Sequence, residues 1–299
     1  MGVCYPAAMR LILVFFLLTA SVSAQASLQQ EIRKIAAEAR GKVAVACALP
    51  GSSLNCDLEA LSRPPMQSVF KLPLALYALH LAEQGKFSLD QPIRFLPSDR
   101  ILPETYSPLQ DKYPNGDVDV PLRELLRLAT SLSDNAAADT VLRVAGGPLE
   151  VDAYIKSLGV QGFHLEDGEH TLHRAVSAQY RNWFAPAGAV QLLRRLSDNS
   201  PLTAEHTHLL LGWMKDSPTG AHRMKAELPV GTIVMHKTGT SGVKDGVASA
   251  TNDIGLITLP DGRRLALAVF VTDSRADEAT REAVIARIAK AAYSAATAK

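Results

Sequence analysis

The chain has 299 residues, which is enough for one large domain or two closely packed ones. Its residues are 47% hydrophobic and 20% charged, as in an ordinary soluble globular protein. Because 31 basic residues nearly balance 30 acidic ones, charge gives no reason to expect nucleic acid or an anionic membrane as a partner.

The N-terminus has the pattern of a secretory signal peptide over residues 1–24. Arg10 supplies a positive charge, the run 11–20 is apolar, and small residues allow cleavage after Ala24 or Ala26. A bilayer span needs about 18 apolar residues, so this run is too short, although a membrane anchor remains the alternative. The sequence therefore predicts an exported protein, periplasmic or secreted, without stable membrane association.

Two cysteines follow the signal peptide, Cys47 and Cys56. They lie in short β-like runs, 43–49 and 54–60, on either side of a turn at 50–53. Both are equally far from the middle of that turn, so they would face each other across a hairpin. Export would allow them to oxidise, but spacing alone does not decide whether they form a disulfide bond.

The two ends of the chain predict one layer of strands and helices. Apolar residues recur at helical spacing over 27–40 and over 277–296. Three strands are predicted between them near the C-terminus, and these are 231–238, 248–259 and 264–272. Because strands joined by tight turns are antiparallel, both terminal helices would cover one face of an antiparallel sheet.

The middle of the chain predicts an all-helical insertion. Residues 69–84 are apolar almost all round, which is typical of a helix buried on every side. Further helices are predicted at 122–131, 135–145, 149–158, 187–196 and 204–215. The predicted fold is therefore α/β (α+β), with an α/β domain over 25–66 and 218–299 and an inserted helical domain over 67–217. Enzyme sites often form at such a junction.

The first chemical motif, Ser68-x-x-Lys71, opens the buried helix. Residues three apart share a face of a helix, so Lys71 would stand beside the Ser68 hydroxyl. A serine needs a neighbouring base to act as a nucleophile, and a desolvated lysine can serve. The free N–H groups of the helix N-terminus would favour an oxyanion there. Taken alone, the motif also fits an N-cap serine followed by a solvated lysine.

Two further motifs follow in order. S-D-N at 133–135 lies between two predicted helices, where an ordinary N-cap turn is the alternative. K-T-G at 237–239 ends a predicted strand, where a simple glycine turn is the alternative. Gly239 has no Cβ, so a ligand could approach that strand closely.

In this order the three motifs resemble those of the serine β-lactamases and penicillin-binding proteins, and among them class A β-lactamases. The resemblance extends from the helix at 27–40 to the C-terminal helix. It implies hydrolysis of the β-lactam amide bond through a serine acyl-enzyme, which confers antibiotic resistance. It further implies a monomer that acts on a small-molecule β-lactam and needs neither a metal nor another cofactor.

The resemblance also implies the roles of the motif residues. Ser68 would be the nucleophile, Lys71 its proton partner, and Ser133 the relay that protonates the leaving nitrogen. Asn135 would hold the substrate's side-chain amide. Lys237 and Thr238 would bind the substrate carboxylate, with Gly239 beside them and Arg223 adding positive charge nearby. The backbone N–H groups of Thr240 and Ser68 would form the oxyanion hole, and Tyr106 would form an aromatic wall of the site. Surface positions are the alternative for Tyr106 and Arg223.

Deacylation separates a β-lactamase from a penicillin target, and class A enzymes use a loop glutamate for it. Glu166 and Glu169 both lie in the corresponding segment. The downstream Gln-Tyr-x-Asn-Trp pattern at 179–183 resembles an extended-spectrum branch, in which the glutamate lies 14 residues and a histidine 10 residues before the Trp. Counted from Trp183, these are Glu169 and His173. We expect Glu169 to be the base, with Glu166 as the fallback, and His173 to be a substrate-binding residue.

The same loop departs from the usual pattern. Many class A enzymes close it with an Arg–Asp ion pair, whereas the corresponding residues here are Asp167 and Asn182. We therefore expect that ion pair to be absent and the loop to be either differently bonded or more mobile.

Three alternative functions remain open. A D-alanyl-D-alanine peptidase would share all three motifs but lack the loop glutamate, and a covalent β-lactam sensor would usually follow a transmembrane region. A zinc hydrolase would use His164, His170 and His173, although the sequence contains no H-E-x-x-H motif. The sequence does not rank penicillins, cephalosporins and carbapenems, but the branch resemblance favours cephalosporins.

Overall fold

The computed structural model describes residues 27–298. The predicted signal peptide over 1–24 lies outside these residues. Within 27–298, no helix combines the length and the apolar character that a membrane crossing requires.

The order of helices and strands along the described chain follows the predicted layout, with most helices in the middle and most long strands near the two ends. In chain order the elements are α1 (27–37), β1 (Lys42–Ala48), α2 (Lys71–Glu83), β2 (Pro92–Phe95), α3 (Pro108–Lys112), β3 (Val118–Pro121), α4 (Leu122–Ser131), α5 (Asn135–Val144), α6 (Pro148–Ser157), β4 (Phe163–His164), α7 (Glu169–Leu172), β5 (Trp183–Phe184), α8 (Pro186–Asp198), α9 (Ala204–Lys215), β6 (Val234–Thr240), β7 (Val243–Lys244), β8 (Val247–Thr258), β9 (Arg264–Ser274) and α10 (Glu278–Thr297). Short 3₁₀ turns precede α2, α3 and β5, at Gln67–Phe70, Pro97–Asp99 and Val176–Tyr180.

Five of the strands form one antiparallel sheet. Their order is β1-β9-β8-β6, and the short β7 also pairs with β8. β1 joins the first part of the described chain to its last strand, with Lys42 opposite Thr272. The predicted fold class, an antiparallel sheet with terminal helices and a helical insertion, is confirmed.

Each face of the sheet belongs to a different hydrophobic cluster, because successive strand residues point to opposite sides. On one face, Ile32 of α1 and Ile285 of α10 pack with Val45 of β1. On the other, Ala44 of β1 and Phe270 of β9 pack with helices of the middle segment. The terminal helices thus share one face, as predicted. The proposed domain boundaries stay a prediction, and α8 packs directly against β1 and β9.

The predicted strand over 54–60 is wrong. Only Leu58 pairs there, in an isolated bridge with Val45. Backbone N–H groups of this run bind side-chain oxygens instead of a neighbouring strand. Asn55 Oδ1 accepts from Asp57 N at 2.8 Å, and Ser52 Oγ accepts from Leu54 N at 3.1 Å. Such local bonds compete with a strand ladder.

Cys47 and Cys56 form a disulfide bond, with their Cα atoms 5.4 Å apart. The Val45–Leu58 bridge keeps the two cysteines opposite each other, as equal spacing from the turn predicted. The bond ties segment 54–60 to the edge strand β1.

We expect reduction of this disulfide to lower the melting temperature by roughly 5–10 °C, because closing a short loop removes about 2–3 kcal/mol of unfolded-state entropy. Thermal denaturation with and without reductant measures the effect. The double variant Cys47→Ala/Cys56→Ala should melt at the reduced temperature under both conditions. Equal melting temperatures for the oxidised and reduced parent protein would contradict the prediction.

Candidate active site

The predicted nucleophile, Ser68, lies on the 3₁₀ turn Gln67–Phe70 and not on a regular α-helix, which begins only at Lys71. The prediction of an α-helix from Ser68 was therefore wrong in detail. Residues three apart are eclipsed in a 3₁₀ turn, which brings the two side chains closer to alignment. Lys71 Nζ donates to Ser68 Oγ at 3.0 Å.

Lys71 is fully buried, and polar groups from three segments surround its ammonium group. Nζ donates to the backbone oxygen of Ser133 at 2.8 Å and to Asn135 Oδ1, and it lies 2.8 Å from Glu169 Oε1. A buried charge is tolerated only when it is paired and hydrogen-bonded in this way. The S-x-x-K motif, the S-D-N motif and the loop glutamate thus meet at one atom.

Glu169 is the first residue of α7 and is also buried. Its Oε1 accepts from Ser68 Oγ at 3.2 Å, and its Oε2 lies 3.3 Å from His173 Nε2. Burial alone would raise the pKa of this carboxyl group, but the Lys71 charge and the His173 contact outweigh it and lower the pKa to about 2. Glu169 is therefore an ionised acceptor beside the serine at neutral pH.

The fallback residue, Glu166, points elsewhere. Its side chain lies 3.1 Å from His164 Nε2 and 3.3 Å from Arg181 Nε. The structure thus brings Glu169, and not Glu166, to Ser68 and Lys71.

Asp139 of α5 holds the start of α7, and the sequence analysis missed it. Its Oδ1 accepts from Glu169 N at 2.7 Å and its Oδ2 from His170 N at 2.8 Å. A Cβ on Gly168 would lie 2.6 Å from Asp139 Oδ1, so the loop approaches this close only with glycine there. Burial, and then the charge of Glu169, raise the pKa of Asp139 to about 6. An aspartate within a helix has no sequence signal for such a role.

The loop that carries Glu169 is bonded differently from the usual pattern, which is one of the two outcomes expected. Asn182 Oδ1 accepts from Glu166 N at 2.9 Å and Asp167 N at 3.1 Å, and its Nδ2 donates to Asp167 O at 2.8 Å. No ion pair joins positions 167 and 182, but Asp167 does form one with the neighbouring Arg181, at 2.8 Å. The expected absence of an ion pair between positions 167 and 182 therefore goes with a different ion pair one residue along the chain.

We expect Asn182→Ala to speed amide exchange at Glu166 and Asp167 by more than tenfold and to lower the free energy of unfolding by about 1–3 kcal/mol. The substitution leaves two backbone donors, one buried and one partly buried, without their acceptor. Exchange measured by mass spectrometry, with the exposed Asn199→Ala as a matched control, tests this. Exchange as slow as in the parent protein would show that Asn182 does not hold the loop.

The S-D-N motif lies at the junction of α4 and α5. Ser133 has a positive φ of 60°, and its Oγ accepts from Lys237 Nζ at 2.8 Å. Asp134 caps α5 and also accepts from Ser107 Oγ at 2.7 Å, which fixes the preceding loop. Tyr106 in that loop is 57% exposed, and its backbone oxygen accepts from Asn135 N at 3.4 Å. Tyr106 is thus placed beside Asn135 with its ring open to solvent.

The K-T-G motif lies on β6, pressed against the nucleophile turn. A Cβ on Gly239 would lie only 2.4 Å from the backbone oxygen of Met66, so any other residue would push strand and turn apart. Lys237 is fully buried, and burial, with the nearby Lys71 charge, places its pKa well below the usual lysine value. Through its bond to Ser133 Oγ, Lys237 joins β6 to the S-D-N turn.

Arg223 lies behind β6, and its guanidinium is buried. Its Nη2 donates to Thr240 Oγ1 at 2.8 Å, its Nη1 to Asn252 O at 3.1 Å, and its Nε to Glu282 Oε1 at 2.9 Å. Arg223 therefore contacts Thr240 at the end of β6. We call the region bordered by the Ser68 turn, the S-D-N turn and β6 the groove. Sequence reasoning missed Glu282 of α10, which is far away in the chain.

The histidines of the zinc alternative have separate surroundings. His164 faces Glu166, His170 contacts Arg174, and His173 faces Glu169. Among residues 27–298, no group of three or more histidine, cysteine or carboxylate side chains could hold a metal ion.

Comparisons with known proteins agree with this architecture. Residues 27–296 match the model of the β-lactamase enzyme family. The chain is 39% identical over 266 residues to the extended-spectrum β-lactamase PER-1 of Pseudomonas aeruginosa, covering 89% of this chain and 86% of that protein. A β-lactamase structure from Chitinophaga pinensis is 41% identical with a TM-score of 0.87, covering 91% of this chain and 100% of that one. The TLA-1 extended-spectrum β-lactamase structure is 37% identical with a TM-score of 0.88, covering 92% and 100%.

The chain therefore belongs to the β-lactamase enzyme family, and within it to class A. It is a hydrolase of that class, as the three motifs predicted.

Proposed function

We propose that this enzyme hydrolyses the β-lactam amide bond of antibiotics, and so confers resistance, through an acyl-enzyme on Ser68 that is deacylated by water activated by Glu169. The observation that carries the proposal is that Ser68 Oγ lies 3.0 Å from Lys71 Nζ and 3.2 Å from Glu169 Oε1. A hydroxyl between a cation and an ionised carboxylate can lose its proton as it attacks.

Acylation requires a proton acceptor and a site for the oxyanion. In the resting geometry Ser68 donates to Glu169, while the charged Lys71 donates to Ser68. The direction of these two hydrogen bonds supports Glu169 as the group that first accepts the serine proton. Lys71 in its neutral form is the alternative base. The backbone N–H groups of Ser68 and Thr240 would stabilise the oxyanion, each worth roughly 3–4 kcal/mol of barrier. Ser133 would then protonate the leaving nitrogen and recover a proton from Lys237.

Deacylation reuses the same carboxylate. The proton that Glu169 took from Ser68 would first pass through Lys71 and Ser133 to Lys237, which gave one up, and this leaves the carboxylate ionised again. Because the acylated Ser68 no longer donates to Glu169 Oε1, that oxygen can then accept a proton from water. A positioned general base contributes about 10²–10⁴-fold to such a step. The position of Glu169 favours a β-lactamase over a peptidase or a sensor, because these would keep the acyl-enzyme.

Substrate binding is proposed for the opposite wall of the groove. Lys237, Thr238, Gly239 and Thr240 would bind the carboxylate that β-lactams carry, with Arg223 adding positive charge through Thr240. Asn135 and the exposed ring of Tyr106 would bind the substrate side chain, and His173 would orient Glu169.

The test is steady-state hydrolysis of a chromogenic cephalosporin combined with the intact mass of the protein. We expect sustained turnover by the parent and neither turnover nor a mass increase for Ser68→Ala. Ser62→Ala, at another loop serine, should behave as the parent does. A stoichiometric burst without turnover in the parent would instead indicate a penicillin-binding protein or a sensor.

We also infer that the protein is exported and acts as a monomer. The Cys47–Cys56 disulfide supports export, because such bonds persist in oxidising compartments. Cell fractionation with N-terminal sequencing, and light scattering of the purified protein, test the two points. A cytoplasmic protein that keeps residues 1–24 would contradict export.

A further inference from the structure

Three side-chain hydroxyls connect the proposed carboxylate site to the interior of the helical segment. Thr238 Oγ1 lies 2.8 Å from Thr219 Oγ1, which lies 2.9 Å from Ser217 Oγ. Ser217 Oγ in turn donates to the backbone oxygen of Ser131 at 2.9 Å. We call Thr238, Thr219 and Ser217 the hydroxyl chain.

The buried end fixes the direction of every bond in the hydroxyl chain. Ser131 is the last residue of α4, and the last carbonyls of a helix have no acceptor role within it. A carbonyl oxygen can only accept a hydrogen bond, and both Ser131 and Ser217 are buried. The single hydroxyl proton of Ser217 is therefore donated to the Ser131 carbonyl oxygen. Thr219 then donates to Ser217, and Thr238 donates to Thr219.

Packing holds Thr238 in this orientation. A Cβ on Gly220 would lie 2.6 Å from Thr238 Cγ2, so the backbone of Gly220 closes against the threonine methyl group. With the methyl group fixed, the hydroxyl oxygen stays beside Thr219. Only the proton on that oxygen is free to turn.

We propose that Thr219 and Ser217 are positioning residues that keep the Thr238 proton turned away from the groove in the resting enzyme. In this state Thr238 presents only acceptor lone pairs to the groove. A substrate carboxylate, which also accepts, needs a hydrogen-bond donor at that position. Binding the carboxylate must therefore turn this hydroxyl and break its bond to Thr219. The proposal rests on the carboxylate-binding role of Thr238 given under the proposed function.

The first test is Thr219→Val, which removes the acceptor and nearly preserves the shape. For a chromogenic cephalosporin with a free carboxylate, we expect KM to fall about 2- to 10-fold, the equivalent of one neutral hydrogen bond. The value of kcat should change less than about twofold. Thr219→Ser keeps the acceptor and should restore the parent KM, which a merely structural role would not require.

The second test is Ser217→Ala, at the buried end of the hydroxyl chain. Without Ser217 as acceptor, Thr219 is free to donate to Thr238, and the Thr238 proton turns to the groove. We expect KM to fall here as well, although the melting temperature should drop because the Ser131 carbonyl loses its donor. A direct contact between Thr219 and substrate would not predict this second effect.

A decarboxylated analogue of the same cephalosporin tests the carboxylate site separately from the hydroxyl chain. In the parent it should bind more weakly than the free acid, and its KM should not respond to Thr219→Val. An analogue that binds as well as the acid would overturn the carboxylate site itself. If the parent discriminates but KM rises or stays constant in Thr219→Val and Ser217→Ala, the carboxylate site stands and the inference about the hydroxyl chain is overturned.

Discussion

Replacing Glu169 by alanine is expected to lower kcat by roughly 10²–10⁴-fold and to turn steady hydrolysis into a single stoichiometric burst. The acyl-enzyme on Ser68 still forms, because Lys71 Nζ remains 3.0 Å from the serine oxygen. Lys71, the alternative base, then accepts the serine proton. Hydrolysis stalls because no other carboxylate of the loop faces the ester. Stopped-flow absorbance and intact-protein mass spectrometry measure the burst and the adduct.

Glu166→Ala is the matched control for this experiment. Glu166 lies three positions away on the same loop but contacts His164 and Arg181. We expect its kcat to stay within about threefold of the parent. Continued turnover in Glu169→Ala, with a burst only in Glu166→Ala, would reverse the assignment of the two glutamates.

The second large effect is expected for Asp139→Asn, which should lower kcat by roughly 10²-fold. Two backbone donors reach different oxygens of Asp139, at 2.7 and 2.8 Å, and an amide offers only one acceptor oxygen. One N–H of α7 is then unpaired, and the start of the helix that carries Glu169 shifts. Misplacement of a catalytic group by about 1 Å can cost that factor. Single-turnover kinetics should place the loss in deacylation.

The pH dependence of kcat tests whether the lower kcat of Asp139→Asn arises from the Asp139 carboxylate. With a pKa of about 6, Asp139 becomes protonated as the pH falls below 6, and one oxygen stops accepting, so kcat should fall on the acidic side. Glu169, with a pKa of about 2, stays ionised throughout that range. The acidic limb near pH 6 should therefore be present in the parent and absent in Asp139→Asn.

Asp152→Asn serves as the control for losing a loop-binding carboxylate. Asp152 Oδ1 accepts from Leu165 N at 3.0 Å, upstream of Glu169, and its other polar partners are Lys156 and His164. This variant should keep the acidic limb. If the limb persists in Asp139→Asn, it belongs to another group and the assignment fails.

Much of the fold could be predicted because apolar periodicity reports burial. The predicted helices at 122–131 and 204–215 coincide with α4 and α9. Buried apolar residues at helical spacing mark both, such as Leu122, Leu125 and Ala129 in α4 and Leu210, Leu211 and Met214 in α9. The run 54–60 misled the prediction because its apolar residues alternate as in a strand, while Ser52 and Asn55 bind the backbone. That competition depends on side-chain placement, which periodicity does not contain.

The site was predictable where chemistry follows a short pattern. Ser68, Lys71 and Lys237 belong to the recognised motifs, and in the structure the side chains of these motifs are in contact. Lys71 binds Ser68 at 3.0 Å, and Lys237 binds Ser133 at 2.8 Å. Asp139 was not predictable, because it lies 30 residues from Glu169 in sequence and inside an ordinary helix. Glu282, 59 residues from Arg223, was hidden in the same way. Groups that position a catalytic residue through the backbone leave no local pattern.

The pairing of β1 with β9 also constrains how the enzyme folds. Residue 42 meets residue 272, so the sheet can close only after nearly the whole described chain is available. Closing so long a loop is entropically costly, and native contacts of such high sequence separation form slowly. The Cys47–Cys56 bond spans only nine positions and can form in a chain that is still largely unfolded. A chain that stops before β9 leaves β1 without its ladder partner, so β9 must be made before the central sheet can assemble.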